Sequence, residues 1–400
     1  MPRIAILLLI VAKTQSSRHA ESCHGKHKIS SDDGVFRPVR SEVDTEMADS
    51  DVSSGDAIVC RVDPTADSLW DAELAVCPGA TFFHGASWAR VLQSTYGFTP
   101  VYFAIRRSGR LESLLPMMEV DSWLTGRRGV SLPFTDECAP LCAGPDSFKR
   151  LYQEALSYAK IRRWKYVECR GGLPLFGDAS PSVSFLGHRL DLRGGETALF
   201  SRCEGSTRRA VRKAEQSGLA IEFSRDLDAV HAFYKLLCKT RRRHGVPPQP
   251  FAFFAGIQRH VLARKQGWVV LARFGQVPVA GAIYFNLGKT AIYKFGASDE
   301  KFQHLRANNL VMWEAIKRHA GEGIEVLEFG RTSLTNPGLQ KFKLSWGTTE
   351  YRIDYVRHNL RTGAFVAVGD VASGLHSRVL ILLPDPIFKL VGSALYKHMA

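Results

Sequence analysis

Cysteine is sparse and unpatterned in this 400-residue chain. The eight thiols, Cys23, Cys60, Cys77, Cys138, Cys142, Cys169, Cys203 and Cys238, include no C-x-x-C pair, and no histidine stands at zinc-finger spacing from Cys138 and Cys142. Neither a structural metal site nor a disulfide framework is therefore expected, and scattered thiols in a chain this long suit a reducing, cytosolic setting. Long apolar runs are missing too. Ile4–Ala12 is nine residues long, about half of the roughly 20 that a bilayer span needs. It has the size of a signal-peptide core, yet Lys13-Thr-Gln-Ser-Ser-Arg follows it and no A-x-A-like cleavage site does. Residues 1–56 are read as a disordered leader or a start codon set too early, with a secretion signal as the alternative. No Ser-His-Asp, Cys-His or H-E-x-x-H arrangement is apparent among the 13 histidines, so no nucleophile or zinc motif announces the chemistry.

Acidic residues are the minority, 39 against 53 lysines and arginines, for a net charge of +14. That balance favours a polyanionic partner, whether nucleic acid, anionic lipid or a phosphorylated substrate, without choosing among them. A hydrophobic share of 45% excludes a mainly disordered chain. At about 150 residues per domain, the length allows two or three domains.

The apolar pattern predicts an α/β order that occurs twice. In the first half, helices over 68–77 and 85–95 precede a glycine-turned strand pair, 101–106 and 111–120, and an apolar strand at 130–134. The helix 148–163 then feeds the strand 166–170. In the second half, helices over 197–217, 227–244 and 251–265 precede strands 269–274 and 277–285, joined at Gly275. A strand at 291–296, the helix 307–320 and a strand at 325–329 follow. Glu154-Ala155 lies 14 residues before Glu168 of Glu168-Cys-Arg170, and Glu314-Ala315 lies 14 residues before Glu328 of Glu328-Phe-Gly-Arg331. Such matches, in the same order beside the same elements, indicate a tandem duplication. The expected domains are 57–194 and 195–360, followed by a C-terminal helical tail over 361–400.

Several pieces carry chemistry. Arg208 and Arg212 sit four apart in a basic helix and project from one face, where guanidinium forks suit phosphate oxygens; a solvated basic face is the alternative. Arg241–Arg243 read as a solvated face or a polyanion patch. Tyr293 and Phe295 alternate on a strand and so share a face, to line a groove or to fill a core. Glu328 and Arg331 end a strand where open α/β sheets place ligands, unless they form a structural ion pair. The tail has Ile387, Phe388, Leu390, Val391, Leu395 and Tyr396 beside Lys389 and Lys397, an amphipathic helix for the protein body or for the inner face of the cell membrane.

The order of elements, with Thr207-Arg-Arg-Ala-Val-Arg-Lys-Ala-Glu, Arg241-Arg-Arg-His-Gly-Val-Pro-Pro, Tyr293-Lys-Phe-Gly-Ala-Ser, Glu328-Phe-Gly-Arg-Thr and Leu339-Gln-Lys-Phe-Lys-Leu-Ser-Trp-Gly, resembles the Fem family of tandem GNAT-fold acyltransferases (FemABX-type). Within it the resemblance is to FemAB-related bacterial proteins associated with exopolysaccharide and protein sorting. It covers residues 57–360 and implies two GNAT-like domains with mixed central sheets. The implied activity is transfer of an acyl or aminoacyl group to an amino group of a cell-envelope precursor, in peptidoglycan or exopolysaccharide. Lys343, after Phe342, matches a lysine implicated in that family's catalysis, and a fixed cation there would stabilise the tetrahedral oxyanion. Asp136, or Glu137 beside it, is the candidate base. Arg208 and Arg212 would grip a nucleotide-sugar or lipid-linked glycan precursor. Arg306 and Asn309 are the candidate donor contacts, for acyl-CoA or aminoacyl-tRNA as co-substrate, although Gln303-His-Leu-Arg-Ala-Asn lacks the glycines of the pyrophosphate loop typical of acetyl-CoA enzymes. Two other functions stay open: an acyl-CoA-dependent N-acyltransferase for an exopolysaccharide sugar, and a noncatalytic nucleic-acid-binding module.

Overall fold

The computed structural model describes residues 57–369 and 380–399; the expected leader lies outside them. The first half runs through β1 (Ile58–Val62), α1 (Trp70–Ala75), α2 (Ala86–Tyr96), β2 (Thr99–Pro100), β3 (Tyr102–Arg107), β4 (Arg110–Leu115), β5 (Met118–Val120), β6 (Arg128–Val130), α3 (Pro145–Ile161), β7 (Tyr166–Arg170) and β8 (Val183–Asp191). Helices α4 (Gly195–Arg202) and α5 (Gly205–Glu215) lead to β9 (Leu219–Ser224), α6 (Leu227–Arg243), α7 (Phe251–His260), β10 (Gly267–Phe274), β11 (Val277–Leu287) and β12 (Thr290–Ser298). Then come α8 (Ala307–Gly321), β13 (Val326–Glu328), β14 (Thr332–Ser333), α9 (Pro337–Leu344), β15 (Thr349–Asn359), β16 (Ala364–Phe365) and α10 (Asp385–Tyr396).

Two crossovers organise this order. β6 and β7 pair in parallel across α3, and β12 and β13 pair in parallel across α8. The fold is α/β with two GNAT-like halves, but the halves share one sheet, in the order β2-β5-β6-β7-β15-β8-β13-β12-β11-β10-β9. Among the described residues, β1-β3-β4 forms a separate sheet. The continuity comes from an exchange of strands: β8 pairs with β13 of the second half, and β15 pairs with β7 of the first. Each exchanged strand covers the side of a parallel pair that would otherwise be an open edge.

The exchange places two carboxylates equivalently. Glu168 ends the β6–β7 ladder opposite Val130 and faces Arg357 of β15 on its other side. Glu328 lies opposite Ile292 and faces Arg189 of β8. Both cross-strand pairs are ion pairs, Glu168–Arg357 with Nε···Oε2 at 2.9 Å and Glu328–Arg189 with Nε···Oε1 at 3.0 Å. Thus the 14-residue spacing that marks the repeat corresponds to a structural equivalence. A shared core adds to the junction: Phe82 stacks on Phe285 at 4.5 Å, and Trp88 meets Phe253 edge-on at 5.7 Å.

Two local expectations change, and one open alternative is decided. The helix expected over 197–217 breaks at Cys203, whose backbone is extended, and Glu204 N–H donates instead to the Ser345 carbonyl at 2.8 Å. The apolar strand expected over 130–134 ends at Val130, because Leu132 and Phe134 take left-handed backbone angles (φ 48° and 61°). The tail helix α10 packs on the body through Phe388, Val391 and Leu395, with Asp385 paired to Arg242. Among the described residues, no helix is long and apolar enough to cross a membrane.

Burial pushes the Glu168 carboxyl up, but the Arg170 and Arg357 guanidiniums outweigh it and hold it at about 2. A depressed carboxyl stabilises the fold above its unfolded value of about 4.3 and loses that contribution as pH falls toward the folded value. The loss is on the order of 3 kcal/mol. Urea unfolding between pH 5 and pH 2 is expected to show this slope in the wild type and a flatter one in Glu168→Gln.

Candidate active site

The site forms where the loop after β6 meets the turn between β13 and α9. Residues 131–138 cannot continue β6, since Leu132 and Phe134 are left-handed, and neighbouring strands hold the loop. Ser131 N–H donates to the Glu168 carbonyl at 2.8 Å, Arg170 N–H to Ser131 Oγ at 2.7 Å, and Tyr355 Oη–H to the Asp136 carbonyl at 2.6 Å. Non-glycine residues held in this region store backbone strain, which tends to gather at functional sites. The consequence here is that Asp136 and Glu137 project toward the second half.

Lys294 meets Asp136 there, Nζ to Oδ2 at 2.9 Å, with only 6% of the lysine side chain exposed. Its position comes from a β-bulge. Ile283 faces Phe295 and Tyr284 faces Tyr293, so Lys294 is the extra residue on β12. The bulge corrects one expectation: Tyr293 and Phe295 do not share a face. Tyr293 packs against the core of Tyr284 and Phe329, whereas Phe295 joins Phe253 and Phe254 on the other side.

Lys343 lies on α9, 2% exposed. Its Nζ donates to the carbonyls of Gly330 at 2.8 Å and Arg331 at 3.1 Å. Gly330 is left-handed (φ 66°), and a Cβ there would come within 3.1 Å of Asp136 Oδ2. The tight turn and the carboxylate thus exclude a larger residue. Burial pulls Lys343 down to about 8, with Lys294 assisting and Asp136 opposing. For Asp136, burial pushes the carboxyl up, but Lys294, Arg331 and Lys343 outweigh it and hold it below its ordinary range. Glu137 goes the other way: burial and the nearby Glu328 carry it to about 7, against Arg189 and the Tyr351 hydroxyl.

The remaining expected residues are dispersed. Glu328 and Arg331 do not pair with each other; Glu328 pairs with Arg189, and Arg331 donates to Tyr355 Oη at 2.9 Å. Arg208 donates to the carbonyls of Ser201 and Cys203 at the end of α4, and Arg212 lies over the Phe200 ring at 5.5 Å. Helix α5 nevertheless touches the lysine helix, Thr207 Oγ1 donating to Ser345 Oγ at 2.9 Å. Arg306, left-handed, precedes the first residue of α8, and Asn309 N–H bonds its carbonyl at 2.9 Å. It is Asn308, not Asn309, that lines a cavity of about 250 Å³ with Tyr284, Tyr293, Gly296, Ser298 and Phe342. Phe342 adjoins Lys343 in the chain, so the cavity reaches the lysine helix. Among the described residues, no group of three or more His, Cys, Asp or Glu side chains could hold a metal ion.

Residues 201–350 match the acetyltransferase (GNAT) domain family. The second half is thus an acetyltransferase (GNAT) domain, set in a fold of two GNAT-like halves. Its fold is similar to the crystal structure of FemX, with a TM-score of 0.60 at 14% identity over 74% of this chain and 96% of that one. A tandem GNAT protein from the clavulanic acid biosynthesis pathway gives 0.50 at 10% identity, covering 79% and 100%. The C-terminal DUF2156 domain from Agrobacterium fabrum, described as that of a lysylphosphatidylglycerol synthetase, gives 0.51 at 13% identity, covering 79% and 97%. No curated protein sequence matches the chain.

Lys294, Arg189, Tyr351 and Tyr355 surround the site without having been singled out by sequence. Lys294 left one signal, a lone lysine inside the otherwise apolar strand Ala291–Ala297, since a cation there must either be paired or be displaced by a bulge. Removing one member of such a pair strands the other charge and costs about 3–5 kcal/mol. Lys294→Met is therefore expected to lose that much stability in urea unfolding at pH 7, and Lys294→Met/Asp136→Asn to regain about half of it or more.

Proposed function

We propose that the protein transfers an acyl group from a thioester or ester donor to the amino group of a cell-envelope precursor. The observation that carries this reading is Lys343, a buried ammonium held on two main-chain carbonyls beside a carboxylate pair contributed by the other half. Attack of an amine on the donor carbonyl builds a tetrahedral oxyanion, and a fixed cation sheltered from water stabilises it. Asp136, the expected base, is engaged by Lys294 and held ionised, which makes it a poor proton acceptor. Glu137 titrates near neutrality and is better matched to taking the amine proton. Asp136 then serves to position Lys294 and to keep Lys343 charged.

The cavity at the start of α8 supports an acyl-CoA donor. Helix N-terminal amides favour phosphate, and Arg306 stands beside them. On the acceptor side, Arg189 and Arg331 flank the carboxylates and fit the anionic part of a nucleotide-sugar or lipid-linked glycan precursor, a role that Arg208, engaged at the end of α4, fills less well. The basic stretches Arg208–Lys213 and Arg241–Arg243 both fall inside the acetyltransferase match, which favours an enzyme over a noncatalytic nucleic-acid-binding module.

Calorimetric titration with acetyl-CoA and longer acyl-CoAs tests the donor. One-to-one binding weakened in Arg306→Ala is expected. No binding to folded protein would overturn the acyl-CoA assignment, and RNase-sensitive transfer would then identify aminoacyl-tRNA. Lys343→Met is expected to lower turnover about 10²–10³-fold while the fold is kept. The pH profile of turnover follows from the two groups: activity rises as Glu137 loses its proton near 7 and falls as Lys343 loses its charge above about 8. Glu137→Gln should lower the rate and abolish the rising limb.

A further inference from the structure

The C-terminal helix leaves part of its apolar surface uncovered. With Phe388, Val391 and Leu395 facing the body, Ile387, Leu390 and Ala394 fall in a stripe about 60° wide at one edge of the helix, at roughly 100° per residue. Ile387 is 41% and Leu390 56% exposed. His398 follows the end of the helix, and its ring lies edge-on to Trp123 at 5.5 Å. Trp123, 80% exposed, thus stands at the C-terminal end of the helix and adds a second exposed apolar group there.

This arrangement is built, not incidental to a loose tail. The hairpin between β5 and β6 grips the end of α10 through buried polar groups. Arg128 Nη2 donates to the His398 carbonyl at 2.9 Å, Thr125 Oγ1 to the same carbonyl at 3.1 Å, and Ser122 Oγ lies 2.8 Å from His398 Nδ1. Two segments more than 250 residues apart thus fix one apolar edge. Its surroundings are cationic. Lys397 projects about 20° outside Leu390, Lys389 lies further round, and Lys165 donates to the Thr125 carbonyl of the hairpin. The two nearby acids are already paired, Asp121 with Arg127 and Asp385 with Arg242.

We propose that the edge formed by Ile387, Leu390 and Trp123 is a docking surface for an anionic bilayer, with the hairpin tip and one side of α10 seated at the headgroup level. An indole belongs at that depth, where an apolar ring and a polar N–H are both accommodated. Lysines beside an apolar stripe add electrostatic attraction to anionic lipid, and a net charge of +14 acts in the same direction. The proposal does not depend on the assignment of the acyl-transfer site.

Sedimentation of the full chain with phosphatidylcholine vesicles, with and without about one-quarter phosphatidylglycerol, tests the proposal. Binding to the anionic vesicles is expected, with a loss of roughly tenfold or more in Trp123→Ser/Leu390→Ser and a smaller loss in Lys389→Glu/Lys397→Glu. Both variants change exposed side chains, and their thermal unfolding should match the wild type. Brominated lipid should quench wild-type fluorescence more than that of Trp123→Phe, which reads insertion directly. Equal binding by wild type and the Trp123/Leu390 variant would overturn the proposal, as would no quenching difference. So would light scattering that shows a dimer dissolved by the same variant without any vesicle binding, since the edge would then serve self-association.

Discussion

Exchange of β8 and β15 between the halves is the constraint on which the centre of the molecule depends. A parallel pair with its crossover helix leaves one side of the ladder unpaired. Here each half closes the other's open side, and the closing strand brings an arginine opposite a carboxylate, Arg357 to Glu168 and Arg189 to Glu328. Because β8 and β15 also pair with each other over Val183–Arg189 and Thr349–Tyr355, neither half can shift without breaking two ladders. A one-residue slip would turn every side chain of the exchanged strand to the opposite face. The loop at 131–138 and the turn at Gly330 are thereby fixed relative to each other, though they belong to different halves.

That fixed meeting point explains how so many charges are tolerated inside the protein. A pair of unit charges 4 Å apart gains about 4 kcal/mol at an effective dielectric constant near 20, and burial of each ion costs several. Lys294 and Asp136 satisfy each other directly. Lys343 has no carboxylate in hydrogen-bond contact among the described residues; the Gly330 and Arg331 carbonyls receive its protons instead. Burial lowers its affinity for the proton, and dipoles compensate the buried charge less fully than an opposite ion in contact would. The same incompleteness leaves the ammonium responsive to a new negative charge, which a tetrahedral oxyanion would provide.

Much of the architecture was legible in the sequence, and the failures have common causes. The repeat, the crossover helices and the glycine-turned hairpins follow from apolar period and turn chemistry, which are local. Lys343 was marked by its match to the family motif, and Asp136 and Glu137 by the place that the same resemblance gives their loop. What sequence concealed was non-local. No periodicity distinguishes a strand that pairs within its own half from one that crosses to the other, so the shared sheet was not foreseen. Alternation placed Tyr293 and Phe295 together because it assumes a regular pleat, and the bulge at Lys294 breaks it. Arginine spacing along α5 predicted a common face correctly in principle, but Arg208 turns back to the carbonyls that α4 leaves unsatisfied where the chain bends at Cys203, a bend the helical pattern hid.

The two equivalent carboxylates show where duplication gave way to specialisation. Glu168 faces two guanidiniums and is held at about 2, whereas burial pushes Glu328 upward and Asp136 adds to that, with Arg189 alone opposing among its principal neighbours. One of the two equivalent positions is therefore electrostatically closed, its carboxylate compensated by two guanidiniums and its proton affinity suppressed. The other is left undercompensated, and Glu137 inherits part of the imbalance through Glu328. A group poised to exchange a proton near neutral pH needs such a deficit, because complete pairing would remove its basicity. The first half thus supplies Asp136, Glu137 and Arg189 to a site whose other cations, Lys294, Lys343 and Arg331, come from the second. The proposed chemistry at that junction therefore draws on both copies, although only one of the two equivalent positions retains the imbalance.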